Sequence, residues 1–413
     1  MKDIFNDYVK TLETYIMFTI KAEAARLTPE LTAKNRAPIS LSMGAPSDPP
    51  PRFVIDKLKE VLDEQGIHSY STSKGEKYFL EAVAKYMKNR FNVELDPQKE
   101  IFSLIGSKEG LANVIREISN PKTNIYEQDI ILIPNPGYAS VKEMCKVSGI
   151  NGYGIPLTKE NNYMPNLDEV VENLKKDGFD ENKIKALMIN YPNNPLGATA
   201  TREYLEHCVD FCKRKDILLI SDAAYCDIYF DEKDKPLSVL EIEGAKDVAV
   251  EFFSFSKPFA MTGWRLGWFC GNEFAVQMIG KLKSTFDTGV FKAIQKAGAE
   301  VLNSKEGYDY CIAANKKFKT KQEILLKGFK ELGWDIDNIE IPKATFYLWL
   351  PIPRKYKTSQ EFCTDILKTS GIVLVPGNAF GSEGEGWFRL SVVCPDDKLQ
   401  EVIDRMKQDG FYY

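Results

Sequence analysis

The chain has 413 residues, 44% of them hydrophobic and 12% aromatic, enough for two or three domains with cores of their own. A formal net charge of -5 without any long basic run excludes the electrostatic footprint of a nucleic-acid binder. Charges interrupt "MKDIFNDYVKTLETYIMF", and no later run approaches the roughly 18 apolar residues of a membrane span, so neither a secretory signal nor a membrane partner is expected and the predicted location is cytoplasmic.

In chain order, residues 1–47 are expected to form an arm and part of a smaller domain. The prolines Pro49 to Pro51 of "SMGAPSDPPPR" read as the linker leading out of it. Residues 48–302 alternate apolar, β-rich runs with helix-period segments, the pattern of an α/β domain built on a mainly parallel sheet. The expected strands are "EIFSLIG", "DIILIPN", "IKALMIN", "DILLISD" and "VAVEFFSFS", with helical periods such as "LANVIREIS" and "TREYLEHCVDFCKRK" between them. Over residues 303–413 the pattern changes. A charged helical stretch "KKFKTKQEILLKGFKELG" precedes "ATFYLWLPI", a helix, "GIVLVPG", "WFRLSVV" and a last helix, which together read as a smaller α+β domain.

Eight cysteines are spread through apolar segments without a C-x-x-C pair, the signature of reduced, buried thiols. Cys208 and Cys212, beside His207, are spaced for one helix face and read as core, so no metal is predicted. His68 and His207 are the only histidines, and neither lies in the context of a Ser-His-Asp, Cys-His or zinc site. Proton transfer is therefore expected to fall to lysine, carboxylate, tyrosine or a cofactor.

Ligands of open α/β sheets collect outside the carboxyl ends of the strands. "EIFSLIG" gives way to Ser107, Lys108 and Glu109, a turn whose helix N-terminal amides can hold an anion. "DIILIPN" leads to Tyr138, "IKALMIN" to "YPNNPLG" with Asn194, and "DILLISD" to Asp222 and Tyr225. A buried carboxylate at Asp222 calls for a cation, and a protonated pyridine nitrogen is one. "VAVEFFSFS" ends at Lys257, flanked by Ser256 and Pro258, where desolvation makes a lysine a competent Schiff-base former. Ser254 and Arg265 of the same stretch are natural phosphate ligands. An aldehyde for the lysine and a phosphate for the Ser/Arg pair belong to one cofactor, although each residue alone also reads as a cap, turn or surface group.

Four motifs in order, "YPNNPLG", "SDAAY", "SFSKPFAMTGWRLGW" and "FRLSVV", resemble those of the class I/II aminotransferases of pyridoxal-phosphate fold type I, and the resemblance covers nearly the whole chain. It implies a large domain with a mainly parallel seven-stranded sheet and a smaller α+β domain. It implies pyridoxal 5'-phosphate as cofactor, with Lys257 bonded to it and later shuttling a proton, Asp222 on the ring nitrogen, and Asn194 and Tyr225 on the phenolate oxygen. Tyr138 would stack on the ring. Ser107, the Lys108 amide, Ser254, Ser256 and Arg265 would hold the phosphate, joined by Tyr70 of a second subunit, so that a homodimer shares its active sites. Arg389 would grip a substrate α-carboxylate close to the Gly44 backbone. The implied activity is ping-pong transfer of an amino group between an L-amino acid and a 2-oxo acid, and a β carbon-sulfur lyase on the same fold is the alternative.

The segments "IGSKEG", "YSTSKG" and "KSTFDTGVF" are similar to the branch holding LL-diaminopimelate, aspartate and alanine aminotransferases, where the counterparts of Tyr15 and Lys108 also touch substrate. Between Ser284 and Gln295 there is no arginine of the kind that takes a distal carboxylate in aspartate enzymes. Lys281, Lys283 and Lys292 read as solvated residues of charged helices.

Overall fold

A computed structural model describes residues 7–118 and 120–413; the first six residues of the predicted arm and Ser119, at the end of "LANVIREIS", lie outside the described residues. Its main sheet has seven strands in the order Ile101–Leu104, Gly267–Gly271, Ala249–Ser254, Leu218–Asp222, Ile184–Asn190, Ile130–Asn135 and Asn151–Pro156. Neighbours run parallel except on both sides of Gly267–Gly271, which is antiparallel to each. The central strands are near-continuous runs of Ile, Leu, Val, Met and Phe because helices cover both faces of the sheet. All five strands expected from the sequence are present. The two not anticipated, Asn151–Pro156 ("NGYGIP") and Gly267–Gly271 ("GWFCG"), carry glycines that interrupt or flank their apolar residues.

Helices start where the chain supplies a cap or a turn. The Thr201 hydroxyl accepts the Tyr204 N–H at 3.2 Å, opening Arg202–Lys215, whose Cys208 and Cys212 face the core. Pro51 sits at the entry to the helix Arg52–Val61. Of the eight thiols Cys394 departs from expectation, being only half-buried, and none is disulfide-bonded.

A second, three-stranded antiparallel sheet comprises Val375–Pro376, Trp387–Ser391 and Tyr347–Pro351. It shares a core with the long helix Lys305–Glu331 and with Ile39 and Leu41. The early segment enters this part of the molecule through a parallel pairing of Ile39–Ser40 with Ile372–Val373. Ala224, Tyr225 and Ile228, just past the end of a main-sheet strand, belong to the same core, so the two sheets meet where the polar strand ends gather.

Candidate active site

Register brings the strand ends together. Asn190 pairs with Asp222 and Asp222 with Phe252, two residues short of the strand end at Ser254, which pairs with Gly267 at the start of the antiparallel strand, so these ends gather at one edge of the sheet. Asp222 is buried, accepts the Ala224 N–H at 3.3 Å, and is pushed up to about 6 by burial despite the nearby Lys257 ammonium. Asn190, which the sequence reading did not single out, donates from Nδ2 to the Asp222 carbonyl at 2.8 Å and accepts the Asn194 N–H on Oδ1 at 3.0 Å. It thereby ties the aspartate strand to the "YPNNPLG" turn.

Lys257 follows the strand Ala249–Ser254 and is partly buried; its Nζ donates to the Gly44 carbonyl at 2.5 Å. Burial first, and then the positive charges of Arg389 and Arg265, lower its ammonium to about 8, against the opposing pull of Asp222. A lysine so tuned is a free amine for a useful fraction of time near neutral pH, as a nucleophile or proton carrier requires.

The anion-binding end is assembled from three segments. Gly106, at φ +111°, turns the chain from the strand Ile101–Leu104 into the helix Ser107–Glu117, and a Cβ there would stand 2.5 Å from Nη2 of Arg265. The guanidinium thus lies against the turn that opens this helix, where Ser107 and Lys108 are the first residues and their amides have no intrahelical partner. Arg265 is itself left-handed (φ +57°) and is braced by an Nη1 bond to the Thr262 carbonyl at 2.8 Å. Ser254 and Ser256 are buried beside it, the Ser256 N–H donating to Ser254 Oγ at 3.2 Å.

Above these groups stands the smaller sheet. Arg389, on the strand Trp387–Ser391, donates from Nη1 to Asn194 Oδ1 at 2.8 Å and from Nη2 to the Ser42 carbonyl at 2.9 Å, while its buried Nε–H has no partner. Its guanidinium carbon lies 4.3 Å from the ring centre of Tyr347 and 4.8 Å from that of Phe380. Tyr225 and Tyr347 share a hydrogen bond between their hydroxyls at 2.8 Å, and a Cβ on Gly44 would lie 2.9 Å from the Tyr347 hydroxyl. Tyr347 was missed by sequence reasoning because it sits in an apolar run that reads as core, and Phe380 because it is a lone aromatic in the glycine-rich turn "PGNAFGSEG".

Tyr15, ahead of the helix Ile16–Ala33, lies beside Tyr138, and the Lys108 ammonium faces both rings at 5.2 and 5.9 Å. Tyr15 and Tyr138, though not Lys108, line a cleft of about 540 Å³ together with Asn190 and Phe380. A separate cavity of about 390 Å³ around Arg90 and Asp227 contains none of the predicted site residues. Tyr70 is 85% exposed, at odds with a place in the buried cluster of its own chain. Lys283 overturns its predicted solvation: its side chain is fully buried against Asp287 and Glu109, and it is unavailable to a distal carboxylate.

The donor set suits pyridoxal phosphate at each point where the group has chemistry. A buried carboxylate suits a protonated ring nitrogen, a lysine of lowered basicity suits an aldehyde, and Arg265 with the Gly106 turn suits a phosphate. Fold and site together define a pyridoxal-phosphate enzyme of the aminotransferase kind.

Residues 36–406 match the model of "Aminotransferase class I and II", and the chain belongs to that family. It is a pyridoxal-phosphate-dependent aminotransferase. Among curated relatives, it is 37% identical to the LL-diaminopimelate aminotransferase of Halothermothrix orenii over 98% of this chain and 99% of the other. It is 39% identical to LL-diaminopimelate aminotransferase 2 of Trichormus variabilis over 95% and 96%. Among solved structures, substrate-bound BacF from Bacillus subtilis aligns with a TM-score of 0.89 at 30% identity, covering 98% of each chain. Aspartate aminotransferase from Thermus thermophilus shares the fold at 23% identity, with a TM-score of 0.86 over 99% of this chain and 100% of the other.

Proposed function

We propose that this aminotransferase takes LL-diaminopimelate, or an amino acid with a similarly polar far end, as one partner of its exchange with a 2-oxo acid. The observation that carries the reading is the placement of Lys108. Its ammonium faces Tyr15 and Tyr138 and, among the described residues, pairs with no carboxylate, while Arg389 supplies a separate seat for an α-carboxylate. Diaminopimelate presents an amino-acid head at each end, and full-length similarity to enzymes of that name agrees with two cationic seats.

When bound, pyridoxal phosphate supplies an electron sink that stabilises the carbanion left by loss of the Cα proton. Lys257 would hold the cofactor at its aldehyde, and its amine, lowered to about 8, is the base that would move a proton at the substrate Cα. Asp222 would pair with the protonated ring nitrogen. Asn194, whose Oδ1 is occupied by Arg389, has its amide hydrogens free to donate to the phenolate oxygen, a role that Tyr225 would share. Tyr138 would pack against the ring. Ser107, the Lys108 amide, Ser254, Ser256 and Arg265 would hold the phosphate, joined by Tyr70 of a second copy of the chain in a homodimer. Arg389 and the Gly44 backbone orient the substrate carboxylate.

A screen of amino donors against 2-oxoglutarate and pyruvate, with LL-diaminopimelate included, tests the substrate. Lys108→Met is expected to raise KM for diaminopimelate well above any change for alanine, and equal changes for both would remove Lys108 from substrate recognition. Release of pyruvate and ammonia without an acceptor would instead support the carbon-sulfur lyase.

A further inference from the structure

Lys283 is the one lysine whose side chain is fully buried among the described residues, and nothing in the transamination scheme uses it. It ends the helix Glu273–Lys283 and points inward between two carboxylates, Asp287 Oδ2 at 2.6 Å and Glu109 Oε2 at 3.4 Å. What those two carboxylates hold gives the arrangement its meaning.

Glu109 lies in the first turn of the helix Ser107–Glu117. Its Oε2 also accepts the Ile105 N–H at 3.3 Å, spanning Gly106, and its Oε1 accepts from Asn113. The carboxylate therefore closes the turn that presents the Ser107 and Lys108 amides. Asp287 faces the other way. Its Oδ1 accepts the Gly289 N–H at 2.8 Å, and its carbonyl accepts from the Ser73 hydroxyl at 3.3 Å. Gly289 is pressed so closely on the "YSTSKG" loop that a Cβ there would lie 2.1 Å from the Thr72 carbonyl. That loop carries Tyr70.

We infer that Lys283 is a positioning residue that keeps two phosphate-binding segments in register: the Gly106–Lys108 turn of its own site and the Tyr70 loop that serves the partner's site. The second half rests on the shared-site reading above. A lone buried ammonium between two carboxylates suits this task, because removing it leaves two like charges facing each other in a desolvated space. Relief comes by moving Glu109, Asp287 or both, and each movement disturbs one of the segments.

The test is the dissociation constant of pyridoxal phosphate from the dialysed enzyme, read by cofactor absorbance, with thermal melting alongside. In Lys283→Met the cofactor is expected to bind about tenfold or more weakly at a temperature well below melting. Affinity within twofold of wild type in a folded variant would overturn the inference. Should Lys283→Met fail to fold, Lys283→Gln, which removes the charge but keeps a polar side chain between the two carboxylates, takes its place under the same criterion. Mixed dimers separate the two halves. Where one chain carries both Lys257→Ala and Lys283→Met, the competent lysine lies in the other chain and faces the altered Tyr70 loop. Its cofactor is expected to be held at least threefold more weakly than in mixed dimers carrying Lys257→Ala alone; equal affinity overturns the loop half. A monomer on sizing would remove the partner half together with the shared-site reading, while the own-site half is still decided by the uniform variant.

Discussion

At the scale of single residues, the site depends on displaced protonation equilibria. Lys257, lowered to about 8, gains free amine steeply up to that pH and little above it. The rate at which the apoenzyme takes up pyridoxal phosphate should rise close to tenfold per pH unit below about 8 and then level. A profile still rising steeply beyond pH 9 would show that the lysine keeps its ordinary basicity. Lys257→Ala should lose about 10³-fold or more in turnover, since both the covalent tether and the proton carrier go. Asp222 has the opposite displacement. Its native state holds a proton that the unfolded chain releases between pH 3.8 and about 6, so apoenzyme stability falls as pH rises through that window, by about 3 kcal/mol from this group. Asp222→Asn apoenzyme should lose most of that decline in melting experiments while binding the cofactor poorly.

At the scale of elements, the turn at Gly106 and the interior of the sheet are the sensitive places. Gly106 combines φ +111° with ψ 152°, a region closed to side chains, and it has Arg265 against its α-carbon. Gly106→Ala should cost ~1–3 kcal/mol and weaken phosphate binding, measurable as faster cofactor loss on dialysis. On the strand beside Asp222, Glu251 is buried and pushed up to about 7; it accepts from the Ser221 hydroxyl at 2.9 Å, the Val239 N–H at 3.2 Å and the Ser238 hydroxyl. Its raised value again means stability lost as pH climbs from about 4.5 to 7. Glu251→Gln, which cannot ionise, should narrow the difference in melting temperature between about pH 5 and pH 8. Much of this level was legible in the sequence. Five strands announced themselves as apolar runs, and each ended in a residue whose polarity was out of keeping with the run before it. Asn151–Pro156 was not legible, because two glycines and a proline leave its pairing to neighbours. Lys283 was not legible either. Its helix carries enough charge to look solvated, and only the packing of Glu109 and Asp287 around it reveals the burial.

At the scale of the molecule, one sheet supplies Lys257, Asp222 and Asn194 and the other supplies Arg389 and Tyr347, so neither makes the site alone. Tyr70 is exposed on its own chain, and its proposed place in the site of a second copy is open to a direct test. Two variants, Lys257→Ala and Tyr70→Ala, each weakly active, should recover activity on mixing and refolding together. In half-and-half dimers one site inherits both lesions and the other neither. Recovery no greater than the sum of the parts would show that Tyr70 does not act in a partner's site.

The paired hydroxyls of Tyr225 and Tyr347 have a consequence for how such an enzyme would announce what it has bound. Between them they own two hydrogens and one short contact, so one ring spends its hydrogen on the other and the second is at liberty to aim elsewhere. Tyr347 lies on the strand adjoining that of Arg389, and its ring faces the guanidinium. An anion arriving at Arg389 that nudges Tyr347 would redirect the Tyr225 hydrogen, and with it the electron distribution of any chromophore resting on that phenol. The prosthetic group's colour would then respond to carboxylates that can never react, such as simple inhibitory diacids, and in Tyr347→Phe protein that response should fade while the colour itself persists.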